Sequence, residues 1–456
     1  MPEPVYRTYL FLAQLVAFLP IGTNQGIVDL LWTILSGRLL ESRGAIFPAL
    51  SDAGLSDEQS RRTEAALREG KIKINGVLER LIHLFQRERK SDYLLIGKWH
   101  PFLVDWHPEG TRFYRPRLKG CLTKHFTSVA GKALPAIELG MMARCLVVAG
   151  RHIPVLTGLT RTGGTLPLLH AARCAMQKTD VLIADRQVKI SHLESEGITA
   201  FVIRGAIDFT AREKDIPKAT GRGRKPTQGR IVRPLARTYK KNVIAATLPS
   251  RNESFVHQGR LLTASWFDNL VMPGGTLCFR CVVIRDPKYK NPWLLLTDLS
   301  ESAETIFELY RSRWNQVKTR FHRIEQLPQT GKQLLGGHRS FVHADESRYR
   351  LPELCLLAAS IALYLSATSK AIATGFWDKN PKPTPGRFRR ALSKAPLPSI
   401  GKIRDELRTL PDFSGKVDKM LERVRSKRSV FEHLPLGVMA HRRQKRQNEK
   451  PSLTGN

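Results

Sequence analysis

The chain has 456 residues, with 74 Lys and Arg against 40 Asp and Glu, giving a formal charge of +34. That length suits two to four domains and a large core, and the charge excess exceeds what solubility needs, favouring phosphate backbones through salt-dependent counterion release. Ribosomal and membrane-surface proteins are also basic, but they seldom combine such a length with 42% hydrophobic residues and the strand-Asp motifs described below.

Residues 1–92 read as helical. An apolar run from Leu10 to Leu19 precedes Pro20-Ile21-Gly22. It lacks a basic leader and a small-residue cleavage site, so it predicts a core helix and not a signal peptide. Ser56-Asp57-Glu58-Gln59 predicts a capped helix ending before Gly70. A second helix spans about Asn75 to Arg87. Two helices around a Gly turn suit a DNA-binding module, although helical hairpins are also common structural elements.

From Tyr93 the pattern changes. Tyr93 to Ile96, Phe102 to Val104, Leu134 to Leu139, Val181 to Ala184 and Ala200 to Ile203 read as strands, with helices over Leu166 to Met176 and Ile190 to Ser195. This alternation predicts a central sheet covered by helices. Residues 206–292 predict a separate, mainly β insertion. It opens on Gly221-Arg222-Gly223-Arg224-Lys225-Pro226, which suits either a minor-groove arm resembling an AT-hook or a solvated basic loop. Residues 293–375 return to the core, with a strand over Trp293 to Thr297, a helix over Glu301 to Arg313 and a buried helix over Pro352 to Ser366. The last of these includes Leu354 to Leu365, too short to span a bilayer comfortably. Residues 376–456 form a basic C-terminal region with clusters at Arg387, Arg389, Arg390 and Arg423 to Arg428, and a disordered tail is expected from His441. No internal repeat is present.

Two short apolar runs end in aspartate: Phe102-Leu103-Val104-Asp105 and Val181-Leu182-Ile183-Ala184-Asp185. Each places a carboxylate at a strand's C-terminal edge. With a third carboxylate from a helix, such a pair can hold two hard divalent cations about 4 Å apart and act on a phosphodiester. Asp298 also follows an apolar run, but its position in a turn before a helix predicts a capping role shared with Ser300. His125 and His338 sit among basic residues, and nothing places them as general bases. Cys278 and Cys281 form the chain's one CxxC, in a β-rich run where residues three apart face opposite sides, so packed thiols are expected and not a zinc site.

In this order, the strand-Asp pair followed by Tyr310-(2)-Arg313 and Glu325-(6)-Lys332 resembles bacterial insertion-sequence DDE transposases with the Tyr-Arg-Glu-Lys signature, the IS-four family. Trp293 to Thr297, Tyr310-Arg311-Ser312-Arg313-Trp314, Glu325-Gln326-Leu327-Pro328, Lys332 to Arg339, Thr123-Lys124-His125 and Gly131 to Pro135 carry the similarity. The resemblance implies an α/β fold: an RNase H-like mixed sheet with flanking helices, interrupted by the β insertion, with helical N- and C-terminal regions. It implies Asp105, Asp185 and Glu325 as a catalytic, metal-binding triad for Mg²⁺, with Mn²⁺ able to substitute. Tyr310, Arg313 and Lys332 would contact transposon-end phosphates, and Trp293 and Trp314 would stack on a displaced base. The implied partners are double-stranded DNA, as terminal inverted repeats and target, and a second copy of the chain in the DNA complex. No membrane contact is expected, and the implied location is the bacterial cytoplasm, at the nucleoid.

One departure stands out. The family places three residues between the signature Arg and the Glu, whereas eleven separate Arg313 from Glu325. The family spacing falls on Val317, which cannot bind a metal. Gln316 to Arg323 therefore reads as an eight-residue insertion. A continuous helix would rotate Glu325 by about 80° beyond two turns, so a bulge or loop must absorb the difference. The intact spacing from Glu325 to Lys332 favours Glu325 as the third ligand. Expected activities are DNA cleavage and strand transfer; a metal nuclease without strand transfer and a transposase-derived DNA binder are the alternatives.

Overall fold

The computed structural model describes residues 3–20, 22–89, 92–105, 113–114, 123–127, 131–148, 150–161, 164–218, 225–240, 242–313, 324–338, 342 and 344–395. The N-terminal part is helical: α1 (Glu3–Val16), α2 (Thr23–Leu35), α3 (Arg38–Glu41), α4 (Ile46–Asp52), α5 (Asp57–Glu69) and α6 (Ile74–Arg89). The predicted start of α5 is a capping box: the Ser56 hydroxyl accepts from the Gln59 amide, and the Gln59 side chain accepts from the Ser56 amide. Two orphan amides are thereby satisfied. Gly26 lets α2 and α5 approach closely, because a Cβ there would lie 2.6 Å from that of Ala66.

The main sheet has twelve strands. They are drawn from β1 (Asp92–Tyr93), β2 (His100–Asp105), β6 (Gly140–Val148), β7 (Arg151–Thr160), β8 (Asp180–Ala184), β9 (Phe201–Arg204), β10 (Ala211–Glu213), β11 (Ile231–Val232), β14 (Arg251–His257), β15 (Arg260–Val271), β16 (Phe279–Arg285) and β17 (Trp293–Thr297). A small sheet of β3 (Phe113–Tyr114), β4 (Thr123–Thr127) and β5 (Lys132–Ile137) and a pair of β12 (Arg237–Tyr239) and β13 (Asn242–Ile244) stand apart. Along the main sheet β7, β6 and β2 form an antiparallel meander, and β8 and β9 then run parallel to β2. The crossovers are α7 (Thr165–Ala175) and α8 (Ile190–Glu196). The fold is thus mixed α/β with a mixed sheet. The hairpin of β6 and β7 went unread in the sequence, although Gly150 separates two apolar runs there. Apart from the β12–β13 pair, the strands of segment 206–292 extend the main sheet: β16 pairs with β17, and β15 and β10 continue outward from it.

Alternation along the buried strands divides the core between two faces. Phe102, Val104, Leu182 and Ala184 pack with Leu168, Leu169 and Leu193 of α7 and α8. Leu103, Val181 and Ile183 face the larger cluster, which contains the N-terminal helices, α9 (Ala303–Arg311), Ile324, Leu327 and α11 (Asp345–Thr368). Helix α11 is long and apolar enough to cross a membrane, but 89% of its apolar window is buried inside the protein, as in the core helix of a soluble protein. It begins about two turns earlier than the sequence suggested, at Asp345, with Pro352 inside it. Between α9 and α11 lie the short α10 (Gln326–Gln329) and a π-helix (Thr330–Leu334); α12 (Pro385–Ser393) follows.

Candidate active site

The parallel register of β2 and β8 pairs His100 with Asp180 and Leu103 with Ile183. Continuing that offset brings Asp105, the last residue of β2, beside Asp185, the first residue after β8. By alternation both belong to the face that carries Leu103 and Ile183, the face covered by α9. Asp105 is buried, whereas the Asp185 side chain is 26% exposed. The Asp185 carboxylate also accepts from the Gln187 amide at 2.9 Å, which fixes the turn beyond β8.

Arg313 enters from the end of α9. Its Nη2 lies 3.5 Å from Asp105 Oδ1 and 3.8 Å from Asp185 Oδ2, and its side chain is only 4% exposed. Two carboxylate oxygens therefore face one nitrogen. Burial works against the guanidinium charge, but Asp105, Asp185, Tyr310 and Glu325 outweigh it and raise its pKa above the ordinary arginine value. Glu325 thus acts electrostatically on the same cation as the two aspartates. Among the described residues, no group of three or more His, Cys, Asp and Glu is spaced to hold a metal ion. Asp105 and Asp185 meet through a guanidinium.

Helix α9 is positioned from both ends. Its N-cap is Ser302, whose hydroxyl accepts from the Thr305 amide, and Glu253 of β14 accepts from the Ala303 amide at 2.6 Å. Ser300, the expected cap, instead accepts from Arg280. Asp298 accepts from the amides of Ala200 and Phe201, pinning the start of β9. Burial raises its pKa. Tyr310 is fully buried, and its ring meets Trp293 edge-on at 5.7 Å. Half-buried Trp293 also meets Tyr289 and Phe307, with Arg204 over its ring at 5.2 Å. Tyr310 therefore supports the site from behind, while Trp293 keeps part of its ring accessible.

Glu325 is half-buried just before α10 and is anchored by its buried neighbours Ile324 and Leu327. Lys332 sits in the π-helix, a bulged geometry common at functional sites. The carbonyl of Lys332 is bonded to His338 Nδ1, and that of Leu334 accepts from Arg389 at 3.3 Å. His338 thus has a backbone-holding role. Of the CxxC pair, Cys281 is buried, with its thiol pKa raised by burial, whereas half-exposed Cys278 donates to Asn269.

Trp314, the stretch from Gln316 to Arg323, Arg222, Arg224, the side chains of Lys124 and His125, and the C-terminal run from Arg423 lie outside the described residues. Sequence reasoning missed Glu253 as the anchor of α9 and Arg313 as the cation between the aspartates. Glu253 carried no local signal, since its partner lies 50 residues away. The Tyr-(2)-Arg spacing drew attention to Arg313, but only as a phosphate contact. No protein-family model matches the chain, and no curated protein matches it.

Proposed function

We propose that this chain is a DDE-type DNA transposase that cleaves at transposon ends and transfers the freed strands to target DNA, from an RNase H-like catalytic sheet. The observation that carries this reading is the register match of Asp105 and Asp185, on one face and around one cation that Glu325 also influences. The antiparallel meander followed by two parallel strands supports the fold assignment. The charge of +34 supports a nucleic-acid substrate.

The donor set fits Mg²⁺ or Mn²⁺: it is all carboxylate, Asp105 and Asp185 already face one positive group, and hard cations prefer oxygen. Asp105, Asp185 and Glu325 would hold the ions. When bound, divalent ions supply Lewis acidity and a lowered water pKa for in-line attack on a phosphodiester. The remaining work belongs to the chain's own residues. Arg313 and Lys332 neutralise phosphate charge as it builds. Trp293 offers an aromatic edge for an unstacked base at a distorted end, on the sheet edge that carries the two aspartates. Buried Tyr310 holds Trp293 and the end of α9. Coordinating two ends calls for a dimer on DNA, and the implied setting is the bacterial nucleoid.

Incubation with duplexes carrying the inverted repeats that flank the gene, plus Mg²⁺, tests the proposal. Cleaved and joined products are the expected result. Cleavage without joining would make the protein a nuclease, and shifted but intact DNA would make it a DNA binder.

A further inference from the structure

The Arg313 guanidinium lies where a cation serving both aspartates has to sit. A metal ion bonded to these oxygens would approach them to about 2.0–2.2 Å, and two positive centres in so small and dry a space repel strongly. Arg313 and a divalent ion bound between the two carboxylates therefore exclude each other in this geometry.

The two contacts are also long for an ion pair. At 3.5 and 3.8 Å they exceed hydrogen-bond length, whereas the buried Arg144–Asp180 contact on the same sheet measures 2.5 Å. Arg313 stands at the exit of α9, beyond the C-cap Ser312, where its amide makes a turn bond to the Tyr310 carbonyl at 3.2 Å. The Asp185 side of the pair reaches solvent, so an anion can approach from there.

We propose that Arg313 is a substrate-responsive gate on the metal site: it serves as the resting counter-ion of Asp105 and Asp185 and yields that place when a phosphodiester offers the guanidinium a better, bidentate partner. This rests on the reading of the aspartates as metal ligands. Its consequence is an order of assembly. Without nucleic acid the carboxylates are satisfied by the chain's own cation and hold divalent ions weakly, which guards against cleavage away from a bound end. With nucleic acid, Arg313 turns to phosphate and the carboxylates become available. Linkage makes the effect reciprocal, so divalent ions must also tighten DNA binding.

Mn²⁺ binding, followed by the loss of the free-ion electron paramagnetic resonance signal, tests the gate without any turnover. In the wild-type protein, a duplex with the flanking inverted repeat is expected to tighten Mn²⁺ binding about tenfold, within the range usual for coupled sites. In Arg313→Gln, Mn²⁺ is expected to bind about tenfold more tightly without DNA, and the duplex is expected to add little further. Circular dichroism checks that the variant folds; if it does not, the wild-type comparison decides alone. Equal Mn²⁺ affinity with and without the duplex in wild-type protein would overturn the gate. So would a folded Arg313→Gln whose DNA-free affinity is unchanged. Asp185→Asn separates the two ideas. If it abolishes Mn²⁺ binding while either of those results holds, only the gate fails. If it leaves Mn²⁺ binding intact, the aspartates are not the metal site, and the gate falls with the functional reading.

Discussion

Strand β8 carries an aspartate at each end, and the two live in opposite circumstances. At its N-terminal end, Asp180 is buried and accepts from Arg144 at 2.5 Å and from the Gln177 amide at 2.6 Å. Arg144 is itself held near the rings of Tyr93 and Phe102, at 4.8 and 5.1 Å. Every feature there fixes one arrangement. At the other end, Asp185 is partly open to solvent and shares a looser cation with Asp105. The same chemical pair, Arg with Asp, is a clamp at one edge of the sheet and a replaceable contact at the other. What separates them is contact length and access: the first pair is short and buried, whereas the second is longer and open to solvent at Asp185. A carboxylate that solvent reaches can accept a new ligand, whereas one sealed inside the protein cannot.

Removing the charge at the open end should produce the largest effect. Asp185→Asn is expected to lower DNA cleavage on the order of 10³-fold, the scale on which loss of one transition-state electrostatic group is felt. DNA affinity should change little, because the basic surface remains; gel-based cleavage and binding assays at matched salt check both. A variant with near-native cleavage would erase the functional half of the contrast.

At the closed end the damage should fall on stability. Arg144→Met strands a buried Asp180 and is expected to cost about 3–5 kcal/mol in urea denaturation, while Arg144→Met with Asp180→Leu should recover most of it. If the single change proves nearly neutral, Arg144 is not a clamp.

A third buried pair lies among the helices. Asp29 of α2, 1% exposed, sits 3.6 Å from Arg62. Burial raises its pKa from 3.8 to about 6, against the opposing pull of Arg62. The native state therefore holds this proton more tightly than the unfolded chain does. Its protonation favours the fold below the unfolded value, and that contribution fades as pH rises through about 6. Between pH 4.5 and 7 the loss should be on the order of 2 kcal/mol. Asp29→Asn should remove that slope, as seen by comparing urea midpoints of variant and wild type across this range.

The smallest effect is expected at Asp298, which resembles the two proposed metal-binding aspartates in sequence but accepts from two amides at the start of β9. Asp298→Ala should cost roughly 1–2 kcal/mol of stability and leave the proposed DNA cleavage by the folded protein unchanged. A specific loss of cleavage at full stability would move Asp298 into the site.

Much of the local structure was legible in the chain. The capping box at Ser56, the strand over Trp293 to Thr297, and the strands leading to Asp105 and Asp185 all follow from short-range patterns, because caps and alternation involve neighbours a few residues apart. The role of Asp298 was misplaced: a helix start follows it closely, but Ser302 caps that helix and Asp298 instead holds two amides nearly a hundred residues back. The long β6–β7 hairpin was passed over: strands buried on both faces lose the alternation that would reveal them. The joining of segment 206–292 to the main sheet was also hidden, since strand neighbours are chosen by long-range hydrogen bonding.

The sequence by itself thus determined which side chains stand at the strand ends, and it set a charge suited to a polyanion. Only the tertiary structure decided that Asp105 and Asp185 fall into register, that Tyr310 is turned into the core, and that Arg313 is the cation they share. Arg313 lies far along the chain from both aspartates, and no local pattern encodes a partner at that distance. Such a meeting is selected by packing α9 onto one face of a completed sheet, where burial sharpens each charge and makes the choice of counter-ion decisive.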